Sequence, residues 1–135
     1  MIYTNFASCL EKLEKISSRL EITAILADLF KKTRPEEIDK VCYLSLGRLA
    51  PFYAGIEVNM AERMVIRALA LAYSAKEETV TASYQKLGDL GKVVQKLSKN
   101  RKSLDSGLSV TEVYTHLYTI ATTTGAGSQE KKLNL

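Results

Sequence analysis

Apolar residues recur every three or four positions along nearly the whole of this 135-residue chain, and no segment of convincing length alternates with the two-residue period of a strand. Phe6, Leu10, Leu13 and Ile16 make the first such stripe. Leu26, Leu29 and Phe30 belong to a second, and Ile38, Val41, Cys42 and Tyr43 or Leu46 to a third. Met64, Val65, Ala68, Leu69 and Ala72 mark a fourth helix, whose alanines allow a neighbour to approach closely, as a central element requires. Val93, Val94 and Leu97, then Val113, Tyr114, Leu117 and Ile120, supply two more faces. A stripe of this kind is stable only against another apolar face. The chain is therefore expected to be all-α: a single multi-helix bundle domain spanning residues 1–135.

Start and stop signals place the helices. Ser18 with Glu21, Thr33 with Glu36 and Ser109 with Glu112 have the spacing of capping boxes, in which a hydroxyl and a carboxylate satisfy the first free N–H groups of a helix. Pro35 fits the first turn of the helix that Thr33 would open. Asn59 is expected to cap the fourth helix, and Glu77 to Leu87 to form a fifth that ends at Gly88, with Asp89 capping the sixth. Between Gly47 and Val58, Pro51, Tyr53 and Gly55 break the helical pattern, and the apolar content predicts an ordered, packed connector. Ser98 to Gly107 lacks periodicity and reads as a mobile loop. After Gly125-Ala126-Gly127, Ser128 is expected to cap a last helix, whose stripe stops at Leu133 and Leu135 within two turns, so the domain reads as truncated at its C-terminus.

Composition narrows the function classes. With 46% hydrophobic and 25% charged residues the chain can bury a core, and no apolar run approaches the roughly 18 residues of a membrane-spanning helix. Met1 to Leu10 lacks the pattern of a secretory signal, since Asn5 interrupts it and Glu11 follows, which points to an intracellular protein with no membrane partner. Net charge is +4 and the pI about 9.0, compatible with a polyanionic partner. Lys92, Lys96, Lys99, Arg101 and Lys102 run without an acid until Asp105, so the second half carries the stronger positive field. On their own these lysines read as a solvated face first and an attraction to nucleic acid second.

Catalytic chemistry finds no constellation. Cys9 and Cys42 stand singly on apolar faces and read as buried small hydrophobes, and the one histidine, His116, cannot complete a zinc site or a nucleophile-base pair. There is no GxxxxGK[ST] loop and no GxSxG elbow, and Gly125-x-Gly127 lacks the third glycine and preceding strand of a dinucleotide fingerprint. Tyr53, Tyr84, Tyr114 and Tyr118 read as packing residues, because no strand presents them together for base stacking.

Four ordered segments carry a resemblance. The run IDKVCYLSLGRLAPFYAGIEVNM from Ile38 to Met60, together with Ser17-Ser18-Arg19-Leu20, Gly88-Asp89-Leu90-Gly91 and Gly125-Ala126-Gly127-Ser128 followed by Gln-Glu-Lys-Lys, resembles the N-terminal DNA-binding domain of ATP-dependent DNA ligases. The similarity extends from about Phe6 to Leu135. It implies an all-α, non-catalytic domain that grips duplex DNA across the minor groove irrespective of sequence and holds a nick for sealing in replication, repair and recombination. Its implied partners are nicked double-stranded DNA and the remaining ligase domains in cis: a nucleotidyltransferase domain and an oligonucleotide-binding barrel. The family's Lys-x-Asp-Gly adenylation motif is absent from this chain, so the fragment needs no cofactor, whereas ATP and Mg2+ are implied for the parent ligase. Cytoplasm or nucleoid would be the location in a prokaryote and the nucleus in a eukaryote.

The resemblance assigns backbone phosphate contacts to Ser17 and Arg19 and to Gly127, Ser128, Lys131 and Lys132. The chemistry agrees, because helix N-termini offer free N–H groups and glycine lets a phosphate approach closely. Each residue also has a plain structural reading: Ser18 as a cap, Arg19 as a surface charge, Gly88-Asp89 as a helix-to-helix turn. Arg48, entering the connector, is a weaker candidate. The rival reading for the whole chain is a small helical protein-interaction or scaffold module, which would show no salt-sensitive binding to DNA.

Overall fold

A computed structural model describes residues 1–99 and 107–135. Among these residues the regular structure is helical: α1 (Tyr3–Glu14), α2 (Arg19–Lys32), α3 (Ile38–Ser45), a 3-10 turn (Phe52–Ala54), α4 (Glu62–Ala72), α5 (Glu77–Leu87), α6 (Leu90–Ser98), α7 (Val110–Thr122) and α8 (Ser128–Leu133). The all-α expectation holds. Backbone contacts divide the chain into two compact units, one with described residues 1–58 and 107–124, the other with 59–99 and 125–135.

The first unit is centred on Phe6, Leu29, Val41 and Val110, one residue each from α1, α2, α3 and α7, with Leu10, Leu26, Phe30 and Leu44 packed around them. Phe6, Val41 and Val110 are fully buried. An antiparallel bridge between Ile2 and Ser109 joins the chain start to the segment leading into α7: Tyr3 N–H donates to the Leu108 carbonyl at 2.8 Å and Val110 N–H to that of Met1 at 2.9 Å. Here too the α-ammonium of Met1 meets the buried Glu37 carboxylate at 2.5 Å, and the Thr111 hydroxyl donates to the other Glu37 oxygen at 3.4 Å. A buried carboxylate needs such partners to offset lost hydration.

The connector after α3 is ordered at its root and bare at its tip. Leu49 and Ala50 are buried, and the Tyr114 hydroxyl on α7 donates to the Leu49 carbonyl. Burial raises the Tyr114 pKa above the ordinary phenol value. Phe52 and Tyr53, however, are 79% and 91% exposed, so Tyr53 is not the packing residue that the sequence suggests. Leu46 is exposed as well, because the chain turns away at Gly47, which takes a positive φ of 65°.

In the second unit Ile66 and Ala70 of α4 pack on Val80 of α5 and Val93 of α6. The buried α4 positions are thus Met64, Ile66 and Ala70, while Ala72, expected inside, is exposed. Gly88 closes α5 at φ 69°, and the Asp89 carboxylate caps α6 by accepting from Lys92 N–H at 2.8 Å, as the sequence indicates.

Local signals misled at three helix starts. Thr33 does not open α3; it closes α2, where its hydroxyl donates to the Leu29 carbonyl at 2.8 Å, and α3 begins only at Ile38 after the turn at Pro35. Asn59 adopts φ 46° and lies before the start of α4, whose N-cap is Ala61. Ser128 is the first helical residue of α8, and Gly127, at φ 73°, occupies the cap. By contrast Ser18 caps α2 through Glu21 N–H at 3.5 Å, and Ser109 with Glu112 makes both arms of its box. Cys9 and Cys42 are half-buried free thiols. Most of the expected mobile loop, residues 100–106, lies outside the described residues.

Replacing Ser109 by alanine is expected to cost about 1 kcal/mol in chemical denaturation, the usual effect of losing an N-cap. The Ser109 N–H and hydroxyl lower the Glu112 pKa, so the carboxylate stabilises the fold above the ordinary glutamate range and ceases to do so as pH falls through the depressed folded value. The midpoint difference between wild type and Glu112→Ala should accordingly be largest near neutrality and shrink in acid, read from thermal melts across pH.

Candidate nucleic-acid interface

The residues singled out in the sequence fall into two sets, one in each unit. In the first unit, Ser17, Ser18 and Arg19 are all exposed where α2 begins. The Ser18 hydroxyl is committed to capping, and its carbonyl accepts from Ile22 N–H at 2.9 Å. Neither the Ser17 hydroxyl nor the Arg19 guanidinium has a hydrogen-bond or ion-pair partner among the described residues, and Leu20 beside them is 84% exposed. The set thus offers a hydroxyl and a cation to solvent at the positive end of a 14-residue helix.

In the second unit a tight turn leads into α8. Gly125 and Gly127 take φ values of 93° and 73°, and Ser128 N–H donates back to the Gly125 carbonyl at 3.1 Å. A Cβ at either glycine would meet nothing within 4 Å, so the backbone conformation, not space, is what calls for glycine. Lys131 points its charge to solvent, whereas Lys132 is only 8% exposed, so the two lysines are not equivalent.

Helix α8 is held to α4 by Arg67, whose Nη2 lies 3.3 Å from Glu130 Oε1 and whose Nε lies 4.0 Å from Glu77 Oε1 on α5. One turn earlier on α4 stands Arg63, exposed and without an ion-pair partner among the described residues. The neighbouring acid, Glu62, accepts a hydrogen bond from the Tyr84 hydroxyl at 2.8 Å, and that bond raises the Tyr84 pKa. Between α4 and α8 lies a cleft of about 500 Å³ lined by Ala61, Arg63, Met64, Arg67, Glu77, Gln129 and Leu133. Nothing in the local sequence singles out Arg63 and Arg67. Their four-residue spacing puts them on one helix face, but only the fold sets α8 against that face.

Other candidates are placed as follows. Arg48 lies over the Phe52 ring, 5.3 Å from its centroid, and Lys92, Lys96 and Lys99 are exposed along and just after α6. Among the described residues no three His, Cys, Asp or Glu side chains converge to hold a metal ion, and none of the helices is long and apolar enough to cross a membrane.

The sequence profile of the family described as DNA ligase N terminus matches residues 2–135. This chain belongs to that family. Curated relatives agree: a probable DNA ligase of Persephonella marina is 44% identical over the whole chain, a DNA ligase of Staphylothermus marinus 41% and a probable DNA ligase of Aquifex aeolicus 40%. In each case the match covers 100% of this chain but 23%, 25% and 23% of the relative. The ligase-family chain therefore spans about a quarter of the length of these relatives. For this ligase N-terminal region, substitution of Gly127 by alanine is expected to destabilise the entry to α8 by about 1 kcal/mol, because L-residues resist a left-handed backbone. Faster amide exchange at Ser128 to Lys131, with α2 unchanged, would report it.

Proposed function

We propose that this chain is the non-catalytic, DNA-gripping portion of an ATP-dependent DNA ligase, holding nicked duplex DNA independently of sequence while domains beyond it carry out sealing. The observation that carries this reading is the family match along essentially the whole chain. The proposed contacts are Ser17 and Arg19 at the start of α2, and Gly127, Ser128 and Lys131 at the start of α8, with the more covered Lys132 adding its charge to the same turn. Exposed hydroxyls, a guanidinium and an ammonium are groups that engage phosphate oxygens without reading bases, and the basic net charge supplies attraction at longer range.

In the whole protein the partners would be the nicked duplex and the other ligase domains in cis. ATP and Mg2+ would serve adenylation there, since no Lys-x-Asp-Gly motif occurs in this chain. The setting would be intracellular, in DNA replication, repair and recombination.

A second reading, a helical protein-interaction module, is favoured by one observation, the nearly complete exposure of Phe52 and Tyr53. Fluorescence anisotropy with nicked and intact duplexes of two unrelated sequences, titrated across salt, separates the two. The DNA-gripping reading predicts steep salt dependence on every duplex, with the log-log slope reduced by about 0.9 for each phosphate contact removed by Arg19→Ala or Lys131→Ala. Loss confined to one sequence, or no binding at low salt, would reject it.

A further inference from the structure

We infer that the cleft between α4 and α8 seats one sugar-phosphate of the DNA backbone, with Arg63 as the phosphate ligand and Arg67 as the residue that positions α8. The inference rests on the DNA-gripping reading and extends it to Arg63 and Arg67, which lie outside the segments that carry the family resemblance. Three observations lead to it. First, the cleft is amphiphilic in the manner of its proposed occupant: Ala61, Met64 and Leu133 give an apolar side for a deoxyribose, Arg63 and the Gln129 amide give donors for phosphate oxygens, and the carboxylate of the lining, Glu77, lies 4.0 Å from Arg67. Second, charge in the cleft is unevenly compensated. Arg67 pairs with Glu130 at 3.3 Å and lies 4.0 Å from Glu77, whereas Arg63 is exposed and has no ion-pair partner among the described residues. Third, the cleft is continuous with α8, since Gln129 follows Ser128 directly and Leu133 lies one turn further along the same helix.

The division of labour between the two arginines follows from their partners. A guanidinium already paired with the Glu130 carboxylate gains less from a phosphate, but that pair links it to the helix that presents Ser128, Gln129 and Lys131. A guanidinium without a carboxylate loses only water on meeting a phosphate, and its planar fork suits two oxygens at once.

The test is salt-titrated anisotropy of the 135-residue chain on a short labelled duplex, comparing wild type with Arg63→Ala, Arg63→Lys, Lys131→Ala and Lys12→Ala, where Lys12 is an exposed cation of α1 in the other unit. Arg63→Ala is expected to lower the log-log salt slope by about 0.9, Arg63→Lys to keep it, and Lys12→Ala to leave it unchanged. Independently of any variant, the Gln129 side-chain amide resonances of the wild-type chain should shift on titration with duplex. If Arg63→Ala keeps the wild-type slope while Lys131→Ala lowers it, or if Lys12→Ala lowers it as much as Arg63→Ala, the cleft is not a phosphate seat although the DNA-gripping reading stands. Static Gln129 resonances under saturating duplex would overturn the cleft in the same way. Failure of the wild-type chain to show salt-dependent binding would overturn both.

Discussion

The exchange of two backbone hydrogen bonds between residues 1–3 and 108–110 is the constraint on which the first unit depends. It brings Val110 into full burial beside Phe6 and sets α7 against α1 and α3, so three consecutive helices and one distant in sequence share one apolar centre. The Glu37 carboxylate, reached by the Met1 ammonium and by Thr111, ties the same junction from the side. Tyr114 extends the tie to the connector by bonding the Leu49 carbonyl. Ordering of the connector root is thus a product of where α7 lands, while its tip, Phe52 and Tyr53, meets no such anchor.

How much was legible in the sequence depended on whether a signal was local. Helix periodicity, the Gly88-Asp89 turn and the Ser109-Glu112 box were readable because their hydrogen bonds close within a few residues. Thr33, Asn59 and Ser128 failed as caps for a common reason. A hydroxyl or amide before an apolar run is equally able to finish one helix, to enter a turn at positive φ or to be the first helical residue, and packing elsewhere decides among these. The exposure of Leu46 and Ala72 was illegible for a related reason: period marks a face, but a neighbour must exist to cover it. Of the candidate interface, Ser17, Arg19 and the Gly127-to-Lys132 turn could be named from the chain alone, whereas Arg63 could not. Its distinction arises from α8 lying against α4 and from Glu130 pairing with Arg67 instead of with Arg63.

The two proposed phosphate-binding sets differ in their physical construction. At α2 the groups sit on a long helix, and one hydroxyl is spent on the cap while its neighbour is left open. At α8 the helix is only six residues long, so it owes its place to contacts outside itself: the Arg67–Glu130 ion pair, the burial of Lys132 and the glycine turn that leads into it. Screening weakens exposed pairs, so the ion-pair share of that hold falls as ionic strength rises while the burial of Lys132 does not.

The interleaving of the two units along the chain has a consequence for the order in which the polypeptide can acquire structure. Helices α4, α5 and α6 are consecutive, and their packing needs only neighbours a few tens of residues apart at most, so they can associate as soon as they leave the ribosome. The first unit cannot close until Val110 has emerged, although α1 to α3 were made first. During synthesis Phe6, Leu29 and Val41 must therefore wait, incompletely covered, while the whole of the intervening helical excursion is translated. Within this stretch the segment translated first is covered only after α4 to α6 have formed, and the growing polypeptide, more than the finished one, is where a chaperone would find something to hold.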